Sequence, residues 1–203
     1  MKKGMMRLLV GLLVVGVAAS AAAQDTGKPL VKPEKAEVQG ANAGAEPLDA
    51  GQVEKVRFLL SGYEYFPTRE ALEQASPQAQ AILIQLAQDE EALPSLRTRA
   101  LDALGLFGED AQAGLFFEGF LHEGKAEARY LRHAMGASLK AFGAKALPWV
   151  EPYLEHQSVD LRLDAVFAVG RLGGAPGREL LLQRRPSLER DALVKEQLVK
   201  FVR

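Results

Sequence analysis

The stretch RTRALDALGLFG, from Arg97 to Gly108, returns 65 residues later as RLDAVFAVGRLG, from Arg162 to Gly173. A chain that writes one line twice builds one local structure twice, and the shared residues say which. They are Arg97/Arg162, Ala100/Ala165, Ala103/Ala168, Gly105/Gly170 and Gly108/Gly173. Leu96, Ala100, Ala103, Leu104 and Phe107 fall at i, i+4, i+7, i+8 and i+11, which is one face of a helix. Leu161, Ala165, Ala168, Val169 and Leu172 repeat that face. Gly108 and Gly173 stand just past the last periodic residue, where a left-handed C′ glycine is expected. No run of alternating apolar and polar residues argues for a strand, so the pattern predicts an all-α chain.

The interval divides. YLRHAMGASLKAFG (Tyr130 to Gly143) sets Ala134 and Ala137 in the alanine positions, with Leu139 where the other copies have glycine. A fourth copy begins near LVKEQLVKFV, with Lys195 in the basic position and Leu198 and Phe201 in place of alanines. A period of about 31 to 35 residues belongs to helical solenoids. A second set of helices lies between the copies: DAQAGLFFEGFLH, AKALPWVEPYLEH and APGRELLLQ. Pro148 and Pro176 fall in first turns, where a missing N–H costs nothing. Pro152 lies deeper, so a bend or a lost hydrogen bond is expected there.

These helix–turn–helix units resemble HEAT-like repeats of the kind named after phycobilisome lyases. That family's line runs roughly V-R-x-x-A-x-x-A-L-G-x-L-G, then a short turn and A-L-P-x-L. LRTRALDALGLFG, LRLDAVFAVGRLGG and AKALPWVEPYL carry it here. The likeness covers about Pro94 to Arg203 and, more loosely, Val53 to Leu93, where EKVRFLLSGY, TREALEQA and PQAQAILIQLAQ read as irregularly spaced helices. It implies a short right-handed α-solenoid. It also implies that Arg97, Ala100, Gly108, Arg162, Ala165, Gly173 and Lys195 are structural repeat positions, the basic ones pairing with acids such as Asp160 and Asp164.

The first residues read as an address rather than as fold. Lys2, Lys3 and Arg7 precede an apolar run, Leu8 to Ala19, and Ala21 and Ala23 form an A-x-A pattern before Gln24. The run falls short of the roughly 20 residues that a span needs. The expected organisation is therefore a signal peptide over 1–23, a flexible linker over 24–50, and a repeat domain over 51–203 with regular units from about 94. Export to the periplasm or the medium follows, with membrane contact through the signal peptide before cleavage. Cleavage removes three of the 25 basic residues and none of the 26 acidic ones. No basic field draws such a chain to nucleic acid. With no cysteine, disulfides and thiolate chemistry are absent.

Motifs for chemistry are sparse. Asp25-Thr26-Gly27 matches the aspartic-protease triplet, but one carboxylate in a polar tail lacks its buried partner. His122-Glu123 and Glu155-His156 sit at matching ends of consecutive second helices. The HEAT-like hydroxylases hold two irons with His-Glu pairs, but a carboxylate-rich shell is missing here, and imidazoles at helix C-termini suit the dipole. GRLGGAPG lacks phosphate-loop spacing, and no G-x-S-x-G elbow or H-E-x-x-H motif occurs. No catalytic residue, metal or cofactor is assigned. A metal- or cofactor-dependent HEAT-like enzyme, hydroxylase- or lyase-like and using His122, His133 or His156, stays open, as does a spacer without a ligand.

The leading expectation is a non-catalytic exported scaffold that binds an unidentified protein or peptide on its concave helix face. Trp149, Tyr153 and His156 form a stripe at i, i+4 and i+7 beside the core face Leu147, Val150 and Leu154, and aromatics dominate hot spots. Packing against Phe116, Phe117 and Phe120 is the competing role for Trp149. Arg184 and Arg185, with Arg178, supply a basic patch. GYEYFP (Gly62 to Pro67) offers aromatics that bind a partner or cover the first repeat.

Overall fold

The computed structural model describes residues 47–62, 64–184 and 189–202, and the fold is that of the unit Glu46–Arg203. The signal peptide, most of the linker and Arg185 lie outside the described residues. The order is α1 (Ala50–Ser61), α2 (Arg69–Ala75), α3 (Ala79–Gln88), α4 (Pro94–Leu104), α5 (Ala111–Glu123) and α6 (Ala128–Phe142). There follow α7 (Leu147–Val150), α8 (Val159–Leu172), α9 (Gly174–Gln183) and α10 (Ala192–Val202). The described residues are all-α, without a strand, and no helix among them is long and apolar enough to cross a membrane.

Local chemistry sets the helix ends. Asp49 accepts from the Gln52 N–H at 2.9 Å, Thr68 from Ala71, Asp110 from Gln112 and Asp191 from Leu193. Each satisfies an orphan donor of a first turn. Because Asp49 caps α1, the helix takes in Ala50, and the linker expected through that residue stops short of it. Pro148 and Pro152 act as expected: α7 is one turn long, flanked by the 3-10 segments Gly143–Ala146 and Glu151–Glu155.

The helices form two rows. In the first, α4 packs on α6, α6 on α8 and α8 on α10. In the second, α3 touches α5, α5 touches α7, and α9 meets the 3-10 turn before α7. Between the rows runs one core. Ala100, Ala103, Ala134, Ala137 and Ala165 are buried there, with Leu83, Leu101, Leu104, Phe117, Leu131 and Leu181. Each large side chain so buried contributes about 1.5–3 kcal/mol.

The repeated glycines do a different job from the one their sequence position predicts. Positive φ belongs to Gly124, Gly143 and Gly174, and Gly173 sits at φ −75°. Neither Gly108 nor Gly173 takes a left-handed cap, which corrects that expectation. Both are sites of close approach. A Cβ on Gly108 would lie 2.1 Å from the Ala141 carbonyl oxygen, and one on Gly173 would lie 2.6 Å from that of Val169. Along the first row Gly105 meets Ala137, and Gly170 lies against the Phe201 ring. Gly105 and Gly170 hold matching repeat positions, at the end of α4 and in α8: the first admits the Ala137 backbone, the second the Phe201 ring.

Candidate functional site

The repeated basic position is a latch. Arg97 Nε donates to the Ala87 carbonyl at 3.3 Å, and its guanidinium lies 4.1 Å from the Tyr130 ring centroid. Arg162 Nη1 donates to the carbonyls of His156 at 2.9 Å and Gln157 at 3.1 Å. Each therefore ties a first-row helix to the carbonyl end of the second-row segment before it. The acids expected as partners are corrected by the contacts. Arg162 pairs with Glu189 at 3.2 Å, whereas Asp164 holds Arg132 at 2.8 Å. Burial opposes charge on Glu189, but hydrogen bonds from Asp191 and Arg162 outweigh it and hold the carboxyl below its ordinary range. Lys195, in the fourth copy, is exposed.

The aromatic stripe divides. Tyr153 is 4% exposed, and its hydroxyl donates to the Leu121 carbonyl at 2.5 Å, satisfying a C-terminal acceptor of α5. Burial raises its pKa. It braces α5 and is not a surface contact, because the 3-10 geometry after α7 turns it inward. Trp149 is half-buried and meets Phe142 edge-on at 5.5 Å. Phe142 in turn meets Phe117 at 6.4 Å, and Phe116 links Phe117 and Phe120. Packing thus engages the indole. His156 is exposed; its Nδ1 accepts from the Ser158 N–H at 3.1 Å, and its ring stacks on Tyr153.

His156 and Arg184 come together in a cleft of about 410 Å³ that Leu154, Arg162, Val166 and Glu189 also line. Arg162, Arg184, Glu155 and Glu189 there are already paired. Arg184 holds Glu151 at 2.7 Å and also Glu155. His133 places Nδ1 2.9 Å from both oxygens of Asp102 on the neighbouring first-row helix. His122 is exposed, and no group of three or more His, Asp or Glu able to hold a metal occurs among the described residues. In the GYEYFP turn Arg99 bonds the Tyr65 carbonyl and covers the Phe66 ring at 5.6 Å, which fastens the turn to α4.

Sequence reasoning missed the exposed side of the second row. Leu115 is 70% exposed and Leu182 50% exposed, with Glu118, Pro148, Pro152 and Glu179 also exposed. A shallow groove of about 350 Å³ lies between α7 and α9, lined by Leu147, Pro148, Glu151, Pro176, Glu179 and Leu180. The signal was present in the alternation of leucine, proline and glutamate on one helical face. Compared with known proteins, the chain matches no protein-family model and no curated protein.

Proposed function

We propose that this chain is an exported, non-catalytic scaffold of HEAT-like repeats that binds a protein partner on its second-row helices. One observation carries the reading: the recurring Arg97, Arg162, Gly105 and Gly170 make contacts between helices, while the exposed side of α5, α7 and α9 differs from unit to unit. Arg97 and Arg162 latch carbonyls, and Gly105 and Gly170 let helices approach. Such positions supply stacking. The titratable side chains likewise pair across helices, as Asp102 with His133 and Asp164 with Arg132. The outward residues of α5, α7 and α9 are free of these duties, and Leu115 and Leu182 stand exposed among them. Export rests on the N-terminal address, and the solenoid on the repeat register and the two-row contacts.

Photo-cross-linking in the exporting cell tests the reading. A photoreactive residue replaces Leu115 or Leu182 in the second row, or Lys140 or Arg171 in the first, within the full chain. The expected result is a discrete cross-linked partner from the second-row positions, in the exported fraction. Cross-links from first-row positions alone, or from none, would contradict it.

A further inference from the structure

We propose that the outward surface of α5, α7 and α9 docks a basic, leucine-bearing segment of another protein. The inference rests on the scaffold reading above and names the chemistry of its partner. The two rows carry opposite charge. Helices α4, α6, α8 and α10 bear nine basic and four acidic side chains, whereas α5, α9 and the broken helix 143–155 bear two basic and five acidic. Two acids of the second row share one register position, and a third lies about one turn away on the same side. Burial of Ala113, Ala146 and Gly177, and of Phe117, Val150 and Leu181, fixes the register between the three helices. In that register Leu115, Pro148 and Glu179 correspond, as do Glu118, Glu151 and Leu182. Each helix therefore presents one glutamate beside one leucine or proline.

Shape agrees with charge. The groove between α7 and α9 is lined by Leu147, Leu180, Glu151 and Glu179 together, so it offers apolar contact to an aliphatic side chain and carboxylates to a cation. Beside Leu115, Gly119 leaves a notch, since a Cβ there would meet nothing within 4 Å. Glu118 and Glu179 form no ion pair among the described residues, while Glu151 holds Arg184. Complementary charge of this kind steers encounter and fixes register. A second copy is a poorer occupant. Its basic row spends Arg97, Arg99, Arg132, Arg162 and Lys200 on internal contacts.

The test uses the full chain and a dye-labelled synthetic dodecapeptide of repeating Lys-Lys-Leu, read by fluorescence anisotropy. A counterpart with Glu for every Lys serves as the opposite-charge probe. The lysine peptide is expected to bind and the glutamate peptide not to. Glu118→Lys/Glu179→Lys should weaken binding at least about tenfold, a change equivalent to ~1.4 kcal/mol. Glu90→Lys/Glu91→Lys makes the same change in net charge on the exposed turn between α3 and α4 and should leave affinity within about twofold, as expected for charges outside the contact. Thermal melts of both variants confirm folding. Equal binding of the two peptides, equal loss in the two variants, or self-association that Glu118→Lys/Glu179→Lys abolishes would each overturn the proposal. Partner cross-links at Leu115 or Leu182 without lysine-peptide binding would sink the basic-segment inference and leave the scaffold standing. Absence of both would remove both.

Discussion

Tyr153 and Glu189 show how single side chains hold the ends of these helices. The Tyr153 hydroxyl satisfies the Leu121 carbonyl in the last turn of α5, so Tyr153→Phe strands a buried acceptor. A loss of about 1–3 kcal/mol in urea unfolding is expected. The same residue sets an alkaline limit. Burial raises its pKa above the ordinary 10.0, so its contribution is whole below pH 10 and is lost as pH rises through the folded value. Tyr153→Phe should flatten that decline. Glu189 works in the opposite direction, because its folded pKa lies below the ordinary 4.5. Its contribution is present above about pH 4.5 and fades as pH falls through the folded value. Glu189→Gln should remove this part of the acid dependence, and stability measured from pH 3 to 6 reads it directly. An unchanged acid limb would show that the Arg162 pair contributes nothing to folding.

At the scale of elements, glycine separates tight from open contacts. Gly108→Ala drives a Cβ into the Ala141 carbonyl, and overpacking of this kind costs about 1–3 kcal/mol. Gly136, inside α6, faces open space, so Gly136→Ala should be neutral or stabilise by up to about 1 kcal/mol. Thermal melts of the pair check both signs. These glycines also mark what the sequence could convey. Helix identity was legible because Ala100, Ala103, Ala134, Ala137 and Ala165 recur at helical spacing. The reason for Gly108 was not, because close approach to Ala141 depends on the next helix, which no local pattern specifies. Tyr153 was misplaced for a related reason. An ideal helical register puts it beside Trp149, and the 3-10 turn after Pro148 and Pro152 rotates it into the core. The latch partner of Arg162 lies 27 residues away at Glu189, beyond the reach of a nearest-acid argument that pointed to Asp160 and Asp164.

The whole molecule joins these pieces into a division of labour between two rows. The first row is basic and pairs Arg132, Arg162 and Lys200 internally, while the second row is acidic and exposes Leu115, Leu182, Pro148 and glutamates. In the proposed reading, units stack through what they share and a partner is recognised by what each presents alone. Leu115→Asp/Leu182→Asp is accordingly expected to keep the fold, since both side chains already meet water, and to lose the cross-linked partner. Hydrogen exchange of the full chain, alone and with that partner, maps the bound face. New protection is expected along α5, α7 and α9, with α4, α6 and α8 unchanged. Protection confined to α4, α6 and α8 would contradict binding on the second row.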